Sequence, residues 1–313
     1  MIRKVVSDVL VIGCGPAGLL ASLEAKKKGC NVIAIDKGII GNDCSAVSAK
    51  QIAATGWWSS DDNPEIHLAD TLKSGCYIND LKLVKILVNK IGTAINILEK
   101  IGMPFNRDKI LNTLDIQGPA PGHSKARSLY FSDITGKLLV DTLLVECQHR
   151  NVKFLQEHVP IQLIMNDNVT VGALVIDVKS KQLIFFRTKA IVMATGGIGN
   201  LYDLSSNPVQ ISGDGISLAM NLGADMMDLE FIQFYPCTAV YPKSIRGLNL
   251  NSYHYGAKLL NSKGDRFIFK YFPESNEDLT RDKLSQSIFR EIIDGNAGAN
   301  GGVFLDATCI SAK

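Results

Sequence analysis

The sequence lacks several features that mark particular classes of protein. It has no apolar run of the ~20 residues that a helix needs to cross a bilayer, so no direct membrane span is expected. Its 33 basic and 31 acidic residues are interspersed and give a net charge of only +2. Nucleic-acid binding is therefore not expected, because it requires a basic stripe or patch.

Cysteine pairs at metal-ligand spacing are also missing. The seven cysteines are scattered, and no two of them form a CxxC pair. The chain is therefore not expected to carry a metal site, an iron–sulfur cluster or a zinc knuckle of its own. Scattered thiols in odd number are typical of reduced cysteines that are buried as small apolar residues. We therefore expect a cytoplasmic protein, or one attached peripherally to a membrane complex.

The composition is that of a globular protein, with 46% hydrophobic and 20% charged residues. The amino terminus predicts a strand over residues 5–12, a glycine-rich turn over 13–18, a helix over 19–28 and a second strand over 32–36. A glycine-rich turn between a strand and a helix, followed by another strand, is typical of an α/β, Rossmann-like dinucleotide-binding domain.

Each glycine of the turn Gly13-Cys14-Gly15-Pro16-Ala17-Gly18 has a separate role in such a fold. The first allows the sharp turn, the second lets the backbone approach a pyrophosphate, and the third lets the helix pack on the sheet. The helix amino terminus favours the pyrophosphate. A carboxylate at the end of the second strand can accept a hydrogen bond from a ribose 2′-OH. The candidate cofactor residues here are Gly13, Gly15, Pro16, Ala17, Gly18, Asp36 and Lys37. The motif alone does not separate FAD from NAD.

Two helices are predicted after a cofactor-wrapping loop over residues 38–60. Asp80 is expected to cap the first and Gly102 to end it, and the second spans residues 136–149. The apolar face of the first contains Leu83, Val84, Leu87, Val88, Ile91, Ile95 and Leu98, and that of the second contains Leu139, Leu143, Leu144 and Cys147.

A change to short β-rich runs predicts an inserted β-meander. Its strands span residues 161–165, 169–178 and 182–187, with turn-like residues between them. A buried strand over 190–194 then leads to Thr195-Gly196-Gly197, where the backbone is expected to pass close to a ligand. From Glu230 the chain becomes rich in aromatic residues, which indicates a second domain. We therefore predict two domains, over residues 1–230 and 231–313.

Taken together, these segments resemble the flavoprotein subunits of succinate dehydrogenase and fumarate reductase, and L-aspartate oxidase of the same family. The motifs occur in family order over essentially the whole chain. They are the segment from Asp8 to Gly18, Gly122-His123-Ser124, Asp133-Ile134-Thr135-Gly136, Ala194-Thr195-Gly196-Gly197, Ser212-Gly213-Asp214-Gly215, Glu230-Phe231-Ile232-Gln233-Phe234-Tyr235-Pro236, Leu259-Leu260-Asn261, Gly264-Asp265-Arg266-Phe267 and Arg281-Asp282.

This resemblance implies FAD, bound by the first domain, and an α+β capping domain that is only partly present. It implies hydride transfer between flavin N5 and the carbon next to a carboxylate, with an arginine as proton carrier, and Arg281 occupies that place. The alternative is that Arg281 merely caps its helix or pairs with Asp282. Further residues expected near the cofactor are Ser45, Thr195, Gly196, Gly197 and Asp214.

Three departures from the family concern the substrate. Tyr235 stands where the family has a carboxylate-binding histidine, and Asn249 and Leu250 stand where it has a Thr-Glu pair. The segment that includes Tyr253 and His254 replaces an Arg-Gly-Glu-Gly run. Because an uncompensated carboxylate in an apolar pocket is unfavourable, a larger or less charged substrate than succinate is expected. Tyr235, Tyr253 and His254 are candidate neutral donors, although a plain loop histidine is an equal alternative for His254.

Two further departures concern the cofactor and the assembly. Ser45 falls where membrane-bound relatives have the histidine that links FAD covalently, so noncovalent FAD is expected. Family members continue for a few hundred residues more, so a second chain completes the flavin site or this chain is a fragment. We expect a FAD-dependent oxidoreductase with a small-molecule substrate, and an iron–sulfur subunit is a candidate partner. The alternatives are an L-aspartate oxidase, or an electron-transfer or assembly subunit without its own substrate.

Overall fold

A computed structural model describes residues 2–250, 256–275 and 279–310. The chain divides into two compact units. Unit 1 comprises Met1–Ile198 with Asn207–Met226, and unit 2 comprises Gly199–Ser206 with Met227–Lys313. The assignment of a cofactor domain to residues 1–230 and a capping domain to 231–313 stays a prediction.

Unit 1 is an α/β arrangement of two four-stranded sheets, a small three-stranded sheet and helices. Its strands are β1 (Arg3–Val6), β2 (Val9–Ile12), β3 (Val32–Ile35), β4 (Ile52–Ala53), β5 (Ile116–Gln117), β6 (Ser128–Leu129), β7 (Lys153–Leu155), β8 (His158–Asn166), β9 (Val169–Asp177), β10 (Gln182–Arg187) and β11 (Ala190–Met193). Its α-helices are α1 (Pro16–Lys27), α2 (Pro64–Ser74), α3 (Leu81–Lys100), α4 (Thr135–His149) and α5 (Asp214–Met220).

The parallel sheet has the order β11-β2-β3-β7 and carries the predicted β-α-β unit. Val9 of β2 is in register with Val32 of β3 and with Ala190 of β11. The helix α1 connects β2 to β3, so the turn before α1 lies at the carboxyl end of β2. This is the sheet edge at which nucleotides bind in such folds.

The predicted strand over residues 5–12 is wrong, because the structure divides it into β1 and β2. The break falls at Ser7 and Asp8. The Asp8 carboxylate accepts a hydrogen bond from the Asn31 backbone N–H at 2.8 Å and pairs with Lys189 at 2.7 Å. The strand β1 instead pairs in parallel with β10 of the second sheet. The polar interruption at Asp8 therefore lets one segment serve two sheets.

The second sheet has the order β1-β10-β9-β8 and confirms the predicted meander. The strands β8, β9 and β10 are antiparallel neighbours. Asp167 and Asn168, between β8 and β9, and Lys181, between β9 and β10, all have positive φ. Tight turns require this conformation, which asparagine and aspartate tolerate better than most residues. The strand β8 begins at His158, earlier than expected.

The helix α3 begins where the sequence predicts. The Asp80 carboxylate accepts hydrogen bonds from the backbone N–H groups of Lys82 and Leu83, and Gly102 follows the helix with φ +92°. The predicted apolar face is wrong for Leu83 and Leu87, whose side chains are 64% and 51% exposed. They lie beside the buried stripe, which consists of Val84, Val88, Ile95 and Leu98. Along α4, Val140, Leu143 and Cys147 are buried.

Unit 2 contains the strands β12 (Lys258–Leu260) and β13 (Phe304–Asp306), which are antiparallel, and the helices α6 (Ile268–Tyr271) and α7 (Arg281–Ile293). Its core contains Cys237, Leu259, Phe267, Ile268, Leu279 and Leu284. Within the described residues of the whole chain, none of the helices combines the length and the apolar character needed to span a membrane.

The carboxylate of Glu291 ties α7 to the rest of unit 2. It is fully buried and accepts hydrogen bonds from Tyr271, Asn261, Asn296 and Lys270, over distances from 2.7 to 3.1 Å. Burial opposes its ionisation, but these four donors outweigh burial and lower its pKa to about 2. Unit 2 is therefore built around a buried charge as well as an apolar core.

Candidate cofactor and substrate sites

The turn between β2 and α1 has no room for a side chain at its first glycine. Gly13 has φ +101°, and its N–H donates to the Ile35 carbonyl at 2.9 Å. A Cβ atom at this position would lie 2.2 Å from the Ala194 carbonyl oxygen at the end of β11. Only glycine combines this conformation with so close an approach. The turn is therefore fixed against both neighbouring strands.

The second and third glycines behave differently from each other. A Cβ atom on Gly18 would lie 1.9 Å from the Gly13 carbonyl oxygen, so α1 closes tightly on the turn. A Cβ atom on Gly15 would approach no protein atom closer than 3.6 Å, so that side of the turn is open to a ligand. Gly15 is also the N-cap of α1, and no side chain caps the helix there. The first N–H groups of α1 thus remain available for an anion.

Asp36 braces the same turn from the end of β3. One carboxylate oxygen accepts a hydrogen bond from the Cys14 N–H at 2.7 Å, and the other accepts one from the Gly38 N–H at 2.9 Å. Each oxygen keeps a second lone pair, so these bonds leave capacity for a ribose hydroxyl. Sequence reasoning assigned only the ribose contact to Asp36, and the bracing role is an addition from the structure.

Lys37 and Asp214 form an ion pair in unit 1 although they are distant in sequence. The Lys37 ammonium also donates to the Ser212 hydroxyl at 2.6 Å. Partial burial opposes ionisation of Asp214, but hydrogen bonds from Lys37 and Ser212 outweigh it and lower the pKa of the carboxyl below its ordinary value. A Cβ atom on Gly215 would lie 1.8 Å from the Thr195 hydroxyl. The structure therefore brings together three predicted cofactor residues, Lys37, Thr195 and Asp214.

The segment after Asn207 returns to the loop that follows β3. The Ser45 hydroxyl, which is exposed, donates to the Asn207 side-chain oxygen at 2.8 Å, and the Gln210 amide donates to Asp43 at 2.9 Å. The adjacent backbone turns at Gly196 with φ +75°. Sequence reasoning missed these bridging contacts, because nothing in the spacing of residues 207–212 indicates a partner in residues 37–45.

Unit 2 places Arg281 at the first position of α7. Its guanidinium donates to the Gln233 side-chain oxygen at 2.7 Å and lies 5.2 Å from the centre of the Tyr235 ring. Asp282 follows it in the first helical turn. The contacts of Arg281 are therefore with the segment that carries Gln233 and Tyr235. Burial raises the pKa of Tyr235, so its hydroxyl stays neutral at physiological pH.

The other positions that depart from the family have separate outcomes. Asn249 accepts a hydrogen bond from the Thr238 hydroxyl at 3.1 Å, which occupies part of its capacity. Leu250 packs against the apolar core of unit 2. Tyr253 and His254 lie outside the described residues.

A buried charged cluster in unit 1 was missed by sequence reasoning. The Arg127 side chain is fully buried and makes two hydrogen bonds to Asp62, at 2.8 and 2.9 Å, while a third nitrogen lies 2.8 Å from an Asp70 oxygen. Ser124 also donates to Asp70. The rings of His67 and His123 lie nearby, 6.3 Å apart, and burial together with Arg127 lowers the pKa of both. The cluster anchors the loop between β5 and β6 to α2. The Gly122-His123-Ser124 motif was the only sequence signal for it.

Comparison with known proteins decides which cofactor this geometry serves. Residues 8–313 match the family model described as FAD binding domain. The chain belongs to this FAD-binding family. Its cofactor is therefore FAD rather than NAD, a choice that the glycine-rich turn alone left open. The resemblance to the fumarate reductase and succinate dehydrogenase flavoproteins is likewise confirmed.

Relatives within the family include two differently named enzymes. One subunit of the fumarate reductase (CoM/CoB) of Methanothermobacter marburgensis is 34% identical over 305 residues, which cover 96% of this chain and 55% of that protein. The L-aspartate oxidase of Saccharolobus solfataricus is 32% identical over 303 residues, which cover 96% of this chain and 59% of that protein. The chain spans about half the length of these curated relatives.

The solved structures confirm the fold. FrdA of the E. coli quinol fumarate reductase, solved as a mutant, has a TM-score of 0.89 to this chain at 25% identity. The superposition covers 99% of this chain and 55% of that chain. The α/β, Rossmann-like architecture with an inserted meander is thus that of the FAD-binding flavoproteins.

Proposed function

We propose that this chain is the FAD-binding part of an oxidoreductase of the fumarate reductase and succinate dehydrogenase flavoprotein type. The observation that supports this best is the turn at Gly13–Gly18 in a member of the FAD-binding family. In this turn, other protein atoms leave no space for a side chain at Gly13 or Gly18, whereas the space beside Gly15 is open. No side chain caps the amino terminus of α1 at Gly15. A pyrophosphate matches that combination of space and positive potential.

Each predicted cofactor residue has a proposed task. Gly15, with Pro16 and Ala17 at the start of α1, receives the pyrophosphate. Asp36 binds the ribose while it braces the turn. Lys37 and Asp214 hold the returning segment in place, and Ser45 and the Thr195-Gly196-Gly197 turn line the remainder of the site. Because a serine cannot form the covalent link that a histidine forms in relatives, we propose noncovalent FAD.

FAD, when bound, supplies the chemistry of accepting or donating a hydride at its N5. The chain's own contribution to turnover is proposed to be Arg281, as the group that carries a proton to or from the substrate carbon. A free arginine stays protonated, so it can do this only when its neighbours hold it in line. The side chains of Gln233 and Tyr235, which Arg281 contacts, are both uncharged. Because neither neutralises its positive charge, we propose that Arg281 pairs with an anionic group of the substrate.

We also propose a class of substrate and a partner. Tyr235, Tyr253 and His254 occupy positions where the family has charged or carboxylate-binding residues, so we propose a substrate that is larger or less charged than succinate. Because the chain spans about half the length of its relatives, turnover is proposed for the chain in its natural assembly. An iron–sulfur subunit is the proposed partner.

The test purifies the chain with whatever polypeptide accompanies it and measures flavin absorbance and anaerobic turnover with candidate carboxylic acids. We expect a yellow protein whose flavin is released by denaturation. Arg281→Lys should reduce kcat by about 100-fold, because a lysine cannot reproduce the two-sided contact. Arg290→Lys, on an exposed turn of the same helix, is the matched control. Unchanged flavin turnover in Arg281→Lys would remove the proposed role.

L-aspartate oxidase is the second candidate, since such enzymes occur among the relatives at similar identity. Release of hydrogen peroxide from aspartate and oxygen would decide for it. A FAD-binding electron-transfer or assembly subunit would instead copurify with an iron–sulfur partner and show no turnover by itself.

A further inference from the structure

The first turns of α7 hold one segment of unit 2 that belongs to neither a helix nor a strand. Arg281 and Ser285 are at positions i and i+4, so both side chains lie on the same face of the helix. Arg281 donates to the Gln233 side chain at 2.7 Å, and Ser285 donates to the Phe234 carbonyl at 3.0 Å. The segment from Gln233 to Tyr235 is thus fixed to the helix at two points, one of which is Arg281 itself.

The hydrogen bond to Gln233 does not fix the direction of the guanidinium. Arg281 is exposed, its side chain has several rotatable bonds, and a single contact at one terminal nitrogen leaves the plane of the group free to rotate. The Tyr235 ring supplies the second contact, 5.2 Å from the guanidinium carbon. A cation over an aromatic face is attracted by the ring quadrupole, and a planar guanidinium can also stack there.

The Tyr235 ring is itself held in place. It is partly buried and packs against the apolar core of unit 2, whereas Arg281 lies at the surface. A ring anchored in the core can orient a flexible arginine, while the reverse is not possible. The hydroxyl of a tyrosine contributes little to such a contact, since the face of a phenylalanine ring also attracts a cation.

We infer that Tyr235 is a positioning residue whose ring, rather than its hydroxyl, orients Arg281 for proton transfer. This inference rests on the proposed function of Arg281 and gives a specific role to one departure from the family. Where the family has a histidine that binds substrate carboxylate, this chain has a support for the arginine. At this position the chain therefore lacks the direct contact to the substrate, and the Tyr235 ring instead fixes the orientation of Arg281.

The test compares Tyr235→Leu with Tyr235→Phe in the purified flavoprotein together with any accompanying chain. We expect kcat of Tyr235→Leu to fall about tenfold, since misplacement of a catalytic group costs turnover. KM should change by less than about twofold, because the substrate does not lose a contact. Tyr235→Phe should recover kcat to within about threefold of the parent. Phe289→Leu, at a 62% exposed aromatic residue of α7, is the control and should leave both parameters unchanged.

A second measurement does not depend on turnover. In protein labelled with ¹⁵N-arginine, the side-chain signals of Arg281, identified by their loss in Arg281→Lys, should show a ring-current shift that disappears in Tyr235→Leu and remains in Tyr235→Phe. Flavin content and circular dichroism verify folding, and Tyr235→Met replaces the leucine variant if that variant does not fold.

The outcomes separate the inference from the proposed function. If kcat of Tyr235→Phe also falls tenfold, the hydroxyl of Tyr235 is required, and the inference is overturned. Full kcat in Tyr235→Leu, or an Arg281 signal that does not move, also overturns it. A parent protein that binds FAD but converts no substrate removes the proposed function, and the NMR result then decides whether Tyr235 orients Arg281.

Discussion

In unit 1, close contacts that leave no space for a side chain fix three glycines beside the candidate cofactor residues, whereas in unit 2 two side chains hold Arg281. The absent Cβ atoms of Gly13, Gly18 and Gly215 would each lie within 2.2 Å of another protein atom. Among the described residues, the exposed Arg281 guanidinium has one hydrogen bond and one ring contact. A glycine in such close contacts tolerates few substitutions, while a site built from exposed side chains can change its chemistry. This difference agrees with the position of Tyr235, Asn249 and Leu250, the described departures that concern the substrate, in unit 2.

The largest expected effect concerns the charged cluster that supports unit 1. Arg127→Met should destabilise the protein by about 3–5 kcal/mol, because it leaves Asp62 buried without its ionic partner. Urea unfolding followed by circular dichroism measures this loss. Lys125→Met, which removes an exposed pair with Asp61, is the control and should have no measurable effect. If Arg127→Met and Lys125→Met have the same free energy of unfolding, the charged cluster does not stabilise the fold.

A direct test of the backbone contacts is Gly13→Ala. The new Cβ atom would lie 2.2 Å from the Ala194 carbonyl oxygen, and the residue would keep a conformation that alanine rarely adopts. We expect a loss of stability of about 3 kcal/mol and a loss of bound FAD, measured as the ratio of absorbance at 450 nm to that at 280 nm. Gly118→Ala, where the space is open, should retain both. Normal flavin content in Gly13→Ala would contradict the close packing of the turn.

Much of unit 1 could be predicted from the sequence because its signals are local. The glycine-rich turn, the cap at Asp80 and the alternating strands of the meander each depend on neighbouring residues. The division at Asp8 was missed because apolar residues continue on both sides, and the pairing of β1 with β10 depends on residues far along the chain. Leu83 and Leu87 were wrongly assigned to the buried face of α3, because apolar residues at the border of that face fit the same helical periodicity as the buried ones.

The candidate sites were predictable to a lesser extent. The sequence indicated Lys37 from its place after Asp36, and Asp214 and Arg281 from motif order. It did not indicate their partners, since the pairing of Lys37 with Asp214 joins distant segments. The Arg127 cluster was missed because a buried arginine looks like a surface arginine in a sequence. The contact of Arg281 with Tyr235 could not be predicted either, because the positions of two residues in the sequence do not show whether an aromatic ring lies beside a cation.

The buried carboxylate of unit 2 gives a smaller effect that depends on pH. The pKa of Glu291, about 2, lies below its ordinary value of 4.5, so its ionised form stabilises the fold above pH 4.5. This contribution is lost as pH falls from about 4.5 towards 2. Glu291→Gln should therefore cost about 2 kcal/mol at pH 7, and its difference from the parent should shrink with acidification.

Urea unfolding at pH 7 and at pH 3 measures the Glu291 effect. Asp294→Asn, on the exposed side of the same Lys270 contact, is a matched control with little expected change at either pH. A difference between Glu291→Gln and the parent that stays constant from pH 7 to pH 3 would show that the charge of Glu291 does not stabilise unit 2.

The smallest effect is expected at the ion pair that holds the returning segment of unit 1. Asp214 is 37% exposed and Lys37 is 22% exposed, so water screens their attraction and Asp214→Asn should reduce stability by less than about 1 kcal/mol. FAD affinity should fall more clearly, by about tenfold, because the segment that contacts the Ser45 loop loses its ionic contact with Lys37, the residue next to Asp36. Equilibrium titration of the apoprotein with FAD, with Asp225→Asn as the control, measures this difference. If Asp214→Asn instead causes a large loss of stability and leaves FAD affinity unchanged, the prediction is wrong. Unit 1 would then depend on this ion pair for folding rather than for cofactor binding.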